Sequence, residues 1–122
     1  MMYSNSTGKA LDLDIALSHV DGDRPLLAEL AAMFLQDYPR LQGEARDSIR
    51  KGDHASLERV AHTLKGRLAF FGIQKARERV AKLEMMGRMN DLSQAMQALA
   101  EVETEMEGIL LEFESLSREL GA

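Results

Sequence analysis

The residues able to do chemistry in this chain gather on one stretch, DHASLERVAHTLKGRLAFFG, residues 53–72. His62 is followed by Lys65 three residues on, Gly66 four on and Ala69 seven on. In a helix those spacings line the four residues along one strip. Leu57, Val60, Ala61, Leu64, Leu68 and Phe71 gather on a different side, which must face a core. His62 points about 140° away from Leu57. A strip so free of side-chain bulk is unusual, because glycine inside a helix costs about 1 kcal/mol against alanine. Bare surface beside an imidazole lets another protein come close to it. An unperturbed imidazole has a pKa of about 6.5, so its neutral, nucleophilic form is available at neutral pH. Lys65 places positive charge where a transferred phosphoryl group would sit. Each feature alone has a plainer meaning: an exposed histidine is ordinary surface, and a helical glycine lets a second helix pack closely. Together and in this order they favour phosphoryl transfer onto an imidazole nitrogen.

This strip needs a scaffold, and the pattern around it is helical throughout. Residues 11–19 form a short first helix with Leu13, Ala16 and Leu17 on one side. Asp23 caps a second helix, and Pro25 sits in its first turn, where proline is tolerated. Leu26, Leu27, Leu30, Met33 and Phe34 follow the 3.6-residue period, with Asp37 at the polar end. Pro39 is expected to kink or split this helix before the pattern resumes at Leu41, Ala45 and Ile49 and stops at Gly52. Asp53 caps the helix that carries His62, and Gly72 ends it. A fourth helix covers about residues 74–86, with Ala76, Val80, Leu83 and Met85 or Met86 inward and Gly87 as its stop. Asp91 opens the last helix with Gln94 as a capping-box partner, and Leu92, Leu99, Val102, Met106, Ile109, Phe113, Leu116 and Leu120 keep its period. The expected fold is all-α: an antiparallel up-and-down four-helix bundle with a short extra N-terminal helix. Residues 1–10 are read as a flexible tail and residues 11–120 as one domain.

Composition bounds the rest. The chain has 122 residues, enough for one helical domain with a useful core. It has no cysteine, which removes disulfides and thiolate metal sites and fits a reducing cytoplasm. No apolar run is long enough to span a membrane, and the N-terminal MMYSNSTGKA lacks the apolar core of a signal peptide. A net charge of −5 argues against nucleic-acid binding. The charge is uneven: residues 65–88 hold seven basic and two acidic side chains, a segment of +5, which leaves −10 for the remainder. That segment reads either as a solvated helix surface or as a basic patch that meets an acidic partner.

The string Ala61-His62-Thr63-Leu64-Lys65-Gly66, followed by Gly72, resembles the histidine phosphotransfer (HPt) domain of two-component multistep phosphorelays, whose pattern is H-x-L-K-G and a second glycine ten residues after the histidine. Gly22-Asp23, Met33-Phe34, Gly52-Asp53 and Lys82-Leu83-Glu84 also look like the family, so the likeness covers roughly residues 11–115. The resemblance implies a phosphorelay carrier without ATPase or autokinase activity. His62 would accept a phosphoryl group from a receiver-domain aspartate and pass it to another receiver. Lys65 would neutralise phosphoryl charge, Gly66 and Ala69 would keep the approach clear, and Gly72 would end the helix. Glu84 would accept a hydrogen bond from His62 Nδ1 and fix its tautomer, and Arg88 would add positive charge. Partners would be receiver domains of response regulators or hybrid histidine kinases. Mg²⁺ would come with the receiver, so no cofactor of the chain's own is expected, and the protein would act as a cytoplasmic monomer. The chain departs from the family at Arg67, where Ser or Ala is usual, and at Leu68 and Phe70. Leu68 falls on the core stripe, whereas Arg67 and Phe70 fall on the other flank, where they would shape partner docking.

Other constellations are weak. His19 and His54 have no metal-ligand spacing with His62, and no HExxH occurs. Met85, Met86 and Met89 read as core or loop filling, or as part of a docking face. The competing function is a helical interaction scaffold: Leu92, Leu99, Met106, Phe113 and Leu120 recur every seven residues, a seam that could pair with another chain. An ATP-using kinase lacks both a Gly-rich nucleotide loop and the length for a catalytic domain.

Overall fold

The computed structural model describes residues 9–121. Five helices follow one another: α1 (Leu13–Ser18), α2 (Arg24–Lys51), α3 (His54–Phe70), α4 (Gln74–Arg88) and α5 (Ala95–Gly121). The four long helices close into a ring in which α2 meets α3 and α5, and α4 meets α3 and α5. Cross-helix contacts fix the directions. Glu58 meets Arg88 and His62 meets Glu84, so α3 and α4 run antiparallel. Ser48 meets Ser56 while Asp37 meets Arg67, which makes α2 and α3 antiparallel. This is the expected four-helix bundle with its short extra N-terminal helix.

Local chemistry sets the helix ends. Asp12, Asp23 and Asp53 each accept a hydrogen bond from the backbone N–H three residues on, at 3.2, 3.0 and 3.1 Å. Such a cap satisfies one of the orphan donors of a helix start and contributes about 1 kcal/mol. The core between the long helices is apolar and centres on stacked Phe34 and Phe113 (4.5 Å) with Phe71 edge-on to Phe113 (4.6 Å). Leu57, Val60, Ala61, Leu64, Leu68 and Phe71 are all buried, as the helical wheel requires. Residues 1–8 of the expected tail lie outside the described residues. Ala10, at the end of that tail, donates its backbone N–H to Glu112 at 3.0 Å.

Five local expectations are corrected. Pro39 does not split α2, which runs through it; proline lies on the exposed side, and burial of Phe34, Tyr38 and Leu41 opposite carries the helix on. Leu26 and Met33 are exposed, Met33 at 60%, because α2 turns Leu27, Ala31 and Phe34 inward. The last helix starts at Ala95 rather than Asp91: the Asp91 carboxylate is taken by the backbone N–H and hydroxyl of Ser93 in a turn, and no capping box forms with Gln94. Gly87 is not a helix stop but a buried member of α4, where a Cβ would meet Glu58 N at 2.7 Å and His54 O at 2.8 Å. Both contacts are backbone, so α3 and α4 touch main chain to main chain here. Met85 and Met89 are exposed and fill no core.

Gly87→Ala therefore overpacks a contact that cannot retreat and is expected to destabilise the protein by about 1–3 kcal/mol. Gly43→Ala, at a helical position with open space around it, should instead stabilise by up to about 1 kcal/mol. Urea-unfolding midpoints of the two variants, followed by circular dichroism, should move in opposite directions.

Candidate functional site

His62 stands midway along α3 with 70% of its side chain exposed. Its Nδ1 lies 2.7 Å from Oε2 of Glu84 on α4. The other oxygen of that carboxylate, Oε1, receives Lys65 Nζ at 2.5 Å. The Arg88 guanidinium reaches Oε2 at 3.3 Å and is also held by Glu58 at 2.9 Å. Glu84 itself is buried, with 5% of its side chain exposed. A carboxylate in such a place must be paired, and here three donors converge on it.

That convergence sets the charge on Glu84. Burial pushes the Glu84 carboxyl upward, but hydrogen bonds from Lys65 and His62, with their charges, outweigh it and hold the group below its ordinary value. An ionised carboxylate only accepts. His62 Nδ1 therefore donates to it, and in a neutral ring the lone pair then lies on Nε2. The arrangement anchors one ring nitrogen on Glu84 and leaves the other facing whatever docks on α3.

The strip around it is as bare as its spacing requires. Gly66 and Ala69 are exposed, and a Cβ built on Gly66 meets no atom within 4 Å. Nothing in the fold needs a glycine there. Gly72 is different: its φ of +70° and the 2.7 Å approach of its would-be Cβ to the Asp12 Cβ serve the turn after α3 and the seat of α1. It lies away from His62 and shapes the scaffold.

The remaining expected residues divide between two flanks. Lys65 and Arg88 lie on the α4 side, both engaged with Glu84. Arg67 and Phe70 lie on the α2 side, along an open groove of about 960 Å³ lined by Leu30, Met33, Asp37, Gly66 and both of them. Arg67 is ion-paired with Asp37. Phe70 is half-buried and stacks on His19 at 4.8 Å, and His19 Nδ1 donates to the Phe70 carbonyl at 2.9 Å. Sequence reasoning gave no role to Asp37, Glu58 or His19: Asp37 and His19 come from distant points in the chain, and Glu58, one turn before His62 on α3, belongs to no motif. The basic segment is partly neutralised within the chain: Lys65, Arg67, Arg79 and Arg88 all have acidic partners. Among the described residues no cluster of His, Asp and Glu is arranged to hold a metal ion, and no helix is long and apolar enough to cross a membrane.

A helical bundle that presents one oriented, exposed imidazole beside a cation is the architecture of a phosphotransfer module. A family model described as "Hpt domain" matches residues 29–112. The chain belongs to the Hpt domain family, and by class it is a histidine phosphotransfer carrier. Its fold is similar to the crystal structure of histidine-containing phosphotransfer protein B from Pseudomonas aeruginosa, with a TM-score of 0.82 and 20% sequence identity over 89% of this chain and 95% of that one. At that identity the likeness concerns the fold. No curated protein matches the sequence.

The lowered Glu84 value carries a pH dependence with a definite sign. A carboxyl whose folded pKa is depressed stabilises the fold above its ordinary value, about 4.5, and loses that contribution as pH falls through the folded value. Glu84→Gln should cost about 1–3 kcal/mol near neutral pH. The difference from wild type should shrink in acid, as read from urea midpoints between about pH 7 and about pH 3.

Proposed function

We propose that this protein is a phosphorelay intermediate that accepts a phosphoryl group on His62 from a receiver-domain aspartate and passes it to the aspartate of another receiver. The observation that carries this reading is the His62–Glu84 contact: Nδ1 is anchored on a buried carboxylate, and Nε2 is left free and exposed. In the transfer, the Nε2 lone pair attacks phosphorus in line with the aspartyl oxygen. The N–P bond forms as the O–P bond breaks, and the receiver keeps its carboxylate. The Nδ1 proton stays where it is, so the ring becomes a cation facing Glu84. The return step reverses these changes, and no proton has to enter or leave.

Lys65 lies one turn from His62 and shares the Glu84 carboxylate with it, which holds its ammonium beside the incoming charge. It would turn from Glu84 toward the phosphoryl oxygens, while Arg88 keeps Glu84 partly neutralised. Catalysis of this kind is mainly positioning and charge stabilisation. Mg²⁺ would be supplied by the receiver, and the chain would act as a monomeric cytoplasmic carrier without kinase activity. The scaffold alternative rested on the last helix, but Leu99, Met106 and Phe113 of that seam are buried inside the bundle. The exposed large apolar side chains of α5 among the described residues, Met96 and Leu111, lie fifteen positions apart and form no stripe for a second chain, which favours the carrier.

The direct test incubates the purified protein with receiver domains phosphorylated by acetyl phosphate. Wild type should acquire an acid-labile, alkali-stable label, and His62→Gln should acquire none while remaining folded. Label on the variant, or none on wild type with every receiver tried, would sink the carrier reading. A second expectation separates the strip from the fold. Gly66→Ala should stabilise the helix by up to about 1 kcal/mol, whereas Gly66→Leu should leave the helical circular-dichroism signal intact and slow transfer at least about tenfold by bulk at the interface.

A further inference from the structure

The groove on the α2 side of His62 is apolar along Leu30, Met33 and Phe70, yet an ion pair lies along it. Arg67 on α3 reaches Asp37 on α2, and Asp37 is also held by Arg40 at 2.8 Å, which in turn meets Glu44 at 2.7 Å. Thr63 and Gly66 line the same groove, and Gly66 belongs to the bare strip. A protein that reaches Nε2 along that strip therefore covers the groove as well. Arg67 also stands where the family pattern described above has a small residue.

We propose that the Asp37–Arg67 pair is a selectivity filter on this docking face. It admits receiver domains that place a hydrogen-bond acceptor over the guanidinium and an apolar side chain in the groove beside it. The proposal rests on the phosphotransfer reading of His62 and names which receivers that site serves.

The physical reason is desolvation. In the free protein the Arg67 side chain is 40% exposed, so solvent has access to the N–H groups that Asp37 leaves unused. A docked partner removes that water. A carbonyl or carboxylate opposite replaces it, whereas an apolar or cationic surface leaves buried donors unpaired, and buried unpaired charge weakens an interface strongly. Rejection of wrong partners by such a group is specificity by penalty rather than by added attraction. Hydrogen bonds from Arg67 first and Arg40 second hold the Asp37 carboxyl below its ordinary value, so the pair stays ionised at neutral pH. An adjustable free arginine would discriminate less than one pinned in this way.

The experiment measures single-turnover transfer from a panel of acetyl-phosphate-charged receiver domains to wild type, Arg67→Ala and the exchanged pair Asp37→Arg/Arg67→Asp. Phosphoramidate, a small donor that needs no docking, serves as a control for the chemistry at His62. Arg67→Ala should raise transfer from poorly accepted receivers by at least about tenfold while phosphoramidate labelling stays unchanged, so the spread of rates narrows. The exchanged pair should restore a wide spread with a different ranking. An unchanged ranking, or a uniform change across all receivers, would overturn the filter while leaving the carrier reading in place. Wild type that takes label from neither receivers nor phosphoramidate would overturn both.

Discussion

The site depends on one buried carboxylate. Glu84 sits in the seam between α3 and α4, where an isolated charge would be costly, and it is tolerated because His62, Lys65 and Arg88 converge on it. The same contacts that make its burial possible orient the imidazole. Moving the carboxylate out of the seam would leave Nδ1 free to rotate or to exchange its proton, and Nε2 would no longer be the defined nucleophile. Stability and function therefore share a group, and they draw on the same hydrogen bonds.

The scaffold exists to hold that seam at a fixed width. Gly87 lets the α4 backbone lie against the backbone of His54 and Glu58, one turn beyond Glu84 on the same helix. At the other end of α3, Gly72 turns the chain tightly against Asp12 and Ile15, and the Asp12 backbone N–H bonds the Phe71 carbonyl at 3.1 Å. With both ends pinned, α3 presents His62 on a rigid element, as a group awaiting an in-line partner requires. The apolar and ion-paired groove against α2 forms the opposite wall of the same helix. One helix thus faces a chemical flank and a docking flank.

Much of this was legible in the sequence because it is local. Capping aspartates, the 3.6-residue stripe of α3, the bare positions at Gly66 and Ala69 and the H-x-L-K-G string all act over one to three turns. Pro39 looked like a break because the local rule counts a lost hydrogen bond, and the burial of Tyr38 and Leu41 that outweighs it is nonlocal. Gly87 looked like a stop because a glycine near a helix end has two uses, and only the approach of a second helix distinguishes them. Asp91 looked like a cap, but Ser93 competes for its carboxylate at shorter range.

The sequence by itself determined an all-helical bundle, the helix that carries His62 and the side of that helix left bare, since periodicity and spacing are properties of a single helix. Only the tertiary structure decided which charges meet. Lys65 was read as a cation for the phosphoryl group, yet it rests on Glu84; Arg67 was read as a docking residue, and it is held by Asp37, thirty positions away. Pairings of this kind are set by the rotation and register of one helix against the next, and those follow from how buried side chains and glycines interlock across the core. No single helix encodes that, so the tautomer of His62 and the ionic rim of its groove emerge only when the helices pack.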